Sequence, residues 1–483
     1  MKGFSRVQLR NIGFEFIMEN LETQTVYGRD IKNNLQPFAR DKIGILKREI
    51  RYLDDFMAFH EANPYAVNGL ASILHRFKEI RGIVKKLENE SDVLDEVELY
   101  EIKNFALNVS ELCNLYDTID FDFDSIAPIS LDRSIELLNP HGIITPSFHI
   151  SELYSEKLAK IRKSKAKIES DSHSEEFAKR RNAIIHDEKK EELEVKKILT
   201  IELRKDIENF KKNIVFIGKL DFLIAKAMLH KKFGGSKPIW ADSNHISIDS
   251  AVNPYVDYIL SKSGKSFVPI SLGLQKGANI LTGANMGGKS VALATVTLNV
   301  LLAHCGFFVF AEKFETPFID FIFYLSEDYQ SVNEGLSTFG AEIKEISKAL
   351  EMMKDQSGLC VLDEFAKGTN PEEGEIIVRA FARYCEESSS NCFISTHYSD
   401  VVEKGMKHLQ VIGLKNAKFD ELLEQDNIRP SSLQELMDFR IEKVKWNSQT
   451  PKDAVRVAEL MGIQREFIDL IKNVREERSR DRK

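Results

Sequence analysis

Apolar residues recur three and four positions apart through the first part of the chain. Leu46, Ile50, Leu53 and Met57 form one stripe. Ile73, Phe77, Ile80 and Val84 form a second, and Ile102, Phe105, Val109, Leu112 and Tyr116 a third. This spacing places each set on one helix face and predicts helices packed through those faces. From Ser151 to Phe233 the stripes narrow between charged flanks: Leu158, Ile161 and Ile168, then Ile207, Phe210, Ile214, Ile217 and Ile224. Narrow stripes suit two long helices packed on each other, with a turnaround around Ser170 to Lys190. Gly234, Gly235 and Pro238 break that pattern. Short apolar runs then alternate with helical patterns from about residue 240 to about 415, which predicts a sheet covered by helices. A strand over Phe439 to Val444 follows, then a helical stretch with Val455, Ala458, Leu460 and Met461 apolar, then a charged tail from Arg475 expected to fray. No internal repeat interrupts this order.

Composition adds bounds. The 483 residues are 43% hydrophobic and 29% charged, with a formal net charge of -8. That suits a protein of roughly three domains with a large core. It excludes the overall basic balance of a dedicated nucleic-acid binder, though not a local basic stripe. Lys157, Lys160, Arg162, Lys163, Lys165 and Lys167 make one such stripe, which reads either as a phosphate contact or as a solvated helix face. The five cysteines form no CxxC pair and fit core positions in a reducing compartment. The first residues, Met1 to Arg6, carry no apolar signal region, so a cytoplasmic location is expected. Val291 to Ala311 carries no formal charge, long enough to suggest a membrane span. Asn299, His304 and Gly306 interrupt it and it follows a glycine-rich loop, so a buried helix running into a buried strand is expected instead.

That loop carries the first chemistry. Gly283, Ala284, Asn285, Met286, Gly287, Gly288, Lys289 and Ser290 fit GxxxxGK[ST], between an apolar strand-like run and a helix-compatible run. Glycines let backbone N–H groups converge on phosphates, and a helix N-terminus adds positive potential. Lys289 would reach the β- and γ-phosphates of ATP, and Ser290 would ligate Mg²⁺. Leu359 to Asp363 and Glu364 form a second element, an apolar strand ending in two carboxylates. There Asp363 suits metal binding and Glu364 suits a general base that polarises water. A third apolar run, from Phe393, ends in His397 and Tyr398. A histidine there can sense a γ-phosphate. Phe267, before Val268 and Pro269, has two readings, a stack on adenine or a core side chain.

Four segments in one order resemble the MutS family. Thr282 to Ser290 is similar to its TGxNMGGKS loop, and Ser337, Thr338 and Phe339 with Glu342 to its STFxxE signature. Asp363 and Glu364 with Gly368, Thr369, Asn370 and Gly374 resemble its DE…GTxPxEG segment, and Ser395 to Tyr398 its THY switch. Weaker likeness runs outward. Leu220 to Ala227 and Ile144 to Arg162 look like the two ends of the family's levers, and Ala454 to Gly462 like its C-terminal dimerisation element. The Pro-Glu-Glu-Gly segment and lever ends point to the subfamily without mismatch-recognition domains.

The resemblance implies an α/β ATPase domain of the ABC-type P-loop fold, with a mixed sheet flanked by helices. An all-α core domain with long lever helices precedes it. The expected parts are a helical core over 1–150, levers with a truncated clamp region over 151–233, the ATPase domain over 234–428, and a C-terminal strand and helical dimerisation element over 429–483. It also implies a homodimer that uses ATP and Mg²⁺, with Ser337, Thr338 and Phe339 acting on the partner's nucleotide. Gly368, Thr369, Asn370 and Gly374 would lie near that interface. Departures are visible. The sequence opens on the helical-core pattern and leaves little room for a clamp around Ser170 to Lys190, so direct mismatch reading is not expected; nor, with few residues after Gly462, is an Smr nuclease activity. Gly335 and Leu336 precede Ser337, where repair proteins have an arginine before the Ser-Thr-Phe. Two cargoes therefore stay open. One is DNA, read by structure rather than by mismatch. The other is a protein client, as for the ATPase subunit of a reactivase of cobalamin-dependent lysine aminomutase. A membrane partner is not expected.

Overall fold

The computed structural model describes residues 4–118, 127–142, 148–169, 175–283, 288–326, 338–398, 400–414, 437–449, 455 and 463–481. Its chain divides into two compact units. One comprises Met1–Leu21, Leu35–Arg51 and Leu229–Lys483, the other Glu22–Asn34 and Tyr52–Met228.

The helices are α1 (Arg6–Asn11), α2 (Phe14–Asn20), α3 (Val26–Asn33), α4 (Ile43–Ala62), α5 (Pro64–Leu74), α6 (Arg81–Glu88), α7 (Glu96–Tyr116), α8 (Asp132–Leu138), α9 (Glu156–Glu169), α10 (Glu175–Leu203) and α11 (Ile207–Phe233). The α7 stripe is buried along its length, from Leu99 through Ile102, Phe105, Val109 and Leu112 to Tyr116. Asp95 and Glu98 start that helix with reciprocal side-chain to backbone hydrogen bonds of 2.9 and 3.0 Å, which satisfy two otherwise orphaned donors. In α4, Leu46, Ile50 and Leu53 are buried, and Phe56 rather than Met57 continues the face. The second stripe is buried too, but not as one helix. Helix α5 stops at Leu74 and α6 starts at Arg81, so Phe77 and Ile80 pack from the connection.

The expected turnaround is shorter than the sequence suggested, because α10 already begins at Glu175. Its acidic residues meet the basic stripe of α9. Lys157 pairs with Glu191 at 2.7 Å, Arg162 with Glu188 and Glu192 at 3.0 and 2.8 Å, and Lys165 with Glu188 at 2.6 Å. Lys157, Arg162 and Lys165 of the stripe are therefore neutralised within the chain.

The unit that begins at Met1 holds α1 and α2 and also α12 (Pro254–Ser261), α13 (Lys289–His304), α14 (Thr338–Asp355), α15 (Pro371–Glu387) and α16 (Arg465–Asp481). The tail read as frayed is helical through Asp481. Two sheets are present. The smaller runs β1 (Ile239–Trp240), β5 (Lys313–Thr316), β2 (Ile246–Ala251), β3 (Ile270–Leu274) in spatial order. The larger runs β10 (Met437–Lys443), β9 (Lys407–Leu414), β4 (Gly277–Thr282), β8 (Asn391–Ser395), β7 (Gly358–Asp363), β6 (Phe321–Leu325). Its β10 is antiparallel to β9, and the other neighbours are parallel. Strands β4, β7 and β8 are buried at every position, as a parallel sheet covered on both faces requires.

The uncharged run becomes α13, buried along almost its whole length. The strand expected after it is reduced to one bridge between Val309 and Ser236, and regular pairing resumes at Lys313. Among the described residues no helix is long and apolar enough to cross a membrane.

Candidate functional site at the carboxyl edge of the larger sheet

In a parallel α/β sheet, ligands bind beyond the carboxyl ends of the strands. Three strand ends meet there. Leu281 of β4 pairs with Ser395 of β8, and Asp363 of β7 pairs with Ser395 from the other side. Residues far apart in sequence are thus brought to one edge by register alone.

From β4 the chain passes through Gly283, at a φ of 147°, and enters α13 from Gly288, at a φ of 83°. Both angles lie in the region that favours glycine. Between them, Ala284, Asn285, Met286 and Gly287 lie outside the described residues. Lys289 is buried, and its ammonium donates to the Gly283 carbonyl at 3.0 Å and pairs with Glu364 at 2.9 Å. Ser290, one residue on, is exposed.

Asp363 is buried and accepts a hydrogen bond from Ser395 Oγ at 2.5 Å. Glu364 follows at a φ of 46°, and its N–H donates to the Ser395 carbonyl and hydroxyl at 3.2 and 3.0 Å. Its carboxylate also pairs with Lys367, and His397 Nδ1 lies 3.8 Å from it. Burial pushes the Glu364 carboxyl up, but hydrogen bonds and charge from Lys367 and Lys289 outweigh it and hold the group below the usual carboxylate range. A carboxylate gripped by two ammonium groups is a poor proton acceptor. Glu364 can act as a base only once at least one of them turns to another anion.

Ala366 also takes a left-handed φ, 62°, and two side chains hold it. Glu342 accepts from its N–H at 3.0 Å, and Tyr398 Oη donates to its carbonyl at 3.3 Å. Non-glycine residues in this conformation persist only where surroundings enforce it. Phe339 sits against Gly368, where a Cβ would come within 3.2 Å of the Phe339 Cβ. The loop therefore rests on the start of α14. Asn370 caps α15 by accepting from Glu372 N–H at 2.9 Å, and Thr369 donates to Glu373 at 3.0 Å. Ser337 and the side chain of Thr338 lie outside the described residues, as does nearly all of the segment from Ala454 to Gly462.

Gly374 fits because it lacks a side chain. A Cβ there would lie 2.3 Å from Tyr398 Oη and 2.7 Å from the Ala366 carbonyl. Gly374→Ala is expected to cost about 1–3 kcal/mol, the usual penalty of overpacking. Thermal unfolding checks it, and adding Tyr398→Phe should recover part of the loss by removing the nearer atom.

Two cavities flank α13. One, of about 590 Å³, is lined by Leu260, Phe267, Val268, Gly288, Met437 and Phe439 among others. Phe267 is half-buried there, and its N–H donates to Asp257 at 3.2 Å. The other, of about 250 Å³, is lined by Asn11, Tyr255, Ser290, Tyr324, Ser326 and Asp363 among others. Sequence reading singled out Phe267, Gly288, Ser290 and Asp363, and quoted Ser395 within a motif without relating it to Asp363, but it missed the other lining residues and Lys367. A lysine three residues beyond a strand-end carboxylate was a usable signal for Lys367. Nothing in the spacing announces Phe439, which the return of β10 delivers.

An α/β unit with a mainly parallel sheet and polar residues gathered at three adjacent strand ends is an arrangement that ligand-binding α/β folds share. Residues 279–477 match the family model for MutS domain V. The chain is 26% identical to a protein named Endonuclease MutS2 from Caldanaerobacter subterraneus subsp. tengcongensis, over 89% of this chain and 60% of that protein. It is 32% identical to a protein of that name from Acetivibrio thermocellus over 44% of this chain and 27% of that one. The same name recurs in Fusobacterium nucleatum subsp. nucleatum, at 33% identity over 45% and 28%. Residues 279–477 are thus similar to MutS domain V, and most of the chain is similar to a protein named Endonuclease MutS2. It spans no more than about three fifths of the length of these relatives.

Proposed function

We propose that this chain hydrolyses ATP at the carboxyl edge of β4, β7 and β8, in a P-loop site of the ABC type. The observation that carries the reading is the meeting of Lys289, Ser290, Asp363, Glu364 and His397 around three strand ends. Lys289 moves from Glu364 to the nucleotide's phosphates as they enter, which frees the carboxylate it had neutralised. Glu364 then takes a proton from the attacking water, and His397 contacts the terminal phosphate. The Phe267 cavity takes the adenine. The oxygen donors Ser290 and Asp363, lining one cavity, suit a Mg²⁺ ion that keeps part of its water shell. When bound, that ion neutralises charge developing on the phosphate oxygens.

The active form is a homodimer. Ser337, Thr338 and Phe339 of one protomer complete the site of the other, with Gly368, Thr369, Asn370 and Gly374 beside that interface. Nucleotide state then changes the pairing of protomers, and α9, α10 and α11 carry the change outward. A Ser337→Ala chain mixed with a Glu364→Gln chain should regain about one working site per mixed dimer, since only one composite site keeps both groups. Absence of recovery at every mixing ratio contradicts shared sites.

The cargo we favour is DNA, recognised by structure, because the relatives carry MutS names. The protein-client reading draws on a different observation, the neutralisation of Lys157, Arg162 and Lys165 by α10 and the net charge of -8. ATP turnover measured with linear duplex, mismatched duplex and four-way junction at two salt concentrations separates them. Stimulation that depends on DNA shape and fades with salt supports the first. Turnover that no DNA changes supports the second.

A further inference from the structure

The first helices belong to the same compact unit as the larger sheet. Helix α1 opens with a capping box, in which Ser5 Oγ accepts from Gln8 N–H at 3.2 Å and Gln8 Oε1 accepts from Ser5 N–H at 2.7 Å. The Gln8 amide then donates from Nε2 to the Tyr324 carbonyl at 2.5 Å, in the last residues of β6. At its other end, the Ile12 carbonyl accepts from Asn253 Nδ2 at 3.1 Å. Gly13 follows at a φ of 88°, and a Cβ there would lie 2.7 Å from Asn253 Oδ1. Asn253 is fully buried, and its Oδ1 caps α12 by accepting from Tyr255 N–H at 3.2 Å. A short helix is thereby fixed at both ends, to β6 and to α12.

Asn11 is the last residue of this fixed helix, half-buried, and lines the 250 Å³ cavity with Ser290, Asp363, Ser326, Tyr324 and Tyr255. The lining combines a carboxylate, two aliphatic hydroxyls and a carboxamide. Such a set suits a hydrated cation better than an apolar group. Divalent magnesium gives up its waters reluctantly, and its retained waters donate outward to neutral or anionic oxygens. A carboxamide carried on a fixed helix starts from a fixed backbone position, so only side-chain freedom is left to lose on binding.

We propose that Asn11 is a positioning residue for the nucleotide's divalent cation: its side-chain oxygen holds the cation's water shell within the cavity that Ser290 and Asp363 line. The inference rests on the assignment of those two residues to the metal side of the nucleotide site. It makes the N-terminal helix part of the ATPase machinery, delivering one polar group to the phosphate end as β10 delivers Phe439 to the other cavity.

The test is a fluorescence titration of the full chain with a fluorescent ADP, at rising Mg²⁺ and in chelator, for the wild type, Asn11→Ala and Asn11→Asp. Asn11→Ala should leave metal-free ADP affinity near the wild-type value and raise the Mg²⁺ midpoint by about threefold to tenfold, the worth of one lost hydrogen bond. Asn11→Asp should move the midpoint the opposite way and weaken metal-free binding, because the added charge attracts the cation and repels the phosphates. Thermal unfolding of each variant shows that the fold is kept. Opposite movements are not expected of a residue that only fills space. A wild-type response shared unchanged by both variants overturns the inference alone. A wild-type chain that binds ADP without regard to Mg²⁺ overturns it together with the metal assignment beneath it.

Discussion

Glu364→Gln is expected to retain ATP and lose turnover by about 10²–10⁴-fold, the range for removal of a general base. The substitution keeps the shape of the side chain and the neighbouring Asp363, so nucleotide affinity should not fall. It should rise slightly. The Glu364 carboxylate engages Lys289 and Lys367, and the Glu364 and Lys289 side chains keep only 9% and 4% of their exposure. A neutral amide competes less well for those ammonium groups, leaving Lys289 readier for phosphate. The check is a paired measurement of equilibrium ATP binding and phosphate release. Release at the wild-type rate removes Glu364 from the base role.

Lys289→Ala is expected to weaken ATP binding by about tenfold to a hundredfold, since a charge-assisted hydrogen bond to phosphate is worth about 1.5–3 kcal/mol. Lys289 bridges the Gly283 carbonyl and Glu364, so it ties the end of β4 to the end of β7. Its loss leaves Lys367 as the neighbouring cation at Glu364 that the structure retains. The same variant should therefore bring the Glu364 carboxyl back toward its usual range, readable by NMR of the labelled side chain. Unchanged ATP affinity counts against the phosphate-loop assignment, whatever happens to Glu364.

These effects stem from features that differ in how far the sequence exposed them. The three helical stripes were legible because a periodicity of three and four states which face of a helix is buried, and Leu99 to Tyr116 is one such face. The buried strands were legible because β4, β7 and β8 are short apolar runs bounded by polar residues. Spacing does not state which elements lie side by side. That β8 sits between β4 and β7 is a matter of sheet order, and without it Ser395 has no visible relation to Asp363. The same gap hid Phe439, Asn11 and the grip of α10 on the basic stripe, each set by a partner distant in sequence. Helix α10 itself was obscured for a different reason. Its residues are so charged that a solvated helix and a turnaround read alike.

The left-handed turn from Glu364 to Ala366 shows how the motifs work as one. Glu342 from α14, Tyr398 from beyond β8 and Gly374 in α15 all converge on the Ala366 peptide. A change at the His397 end can therefore be felt at α14 through two hydrogen bonds. In the dimer we propose, that is the route from phosphate to the segment that faces the partner.

The most direct test of the central claim is the steady-state release of phosphate from ATP by the purified wild-type chain, with and without Mg²⁺, beside Glu364→Gln. The account predicts release that requires Mg²⁺ and that the variant lacks while still binding ATP. A folded wild-type chain that neither binds ATP nor releases phosphate would contradict it.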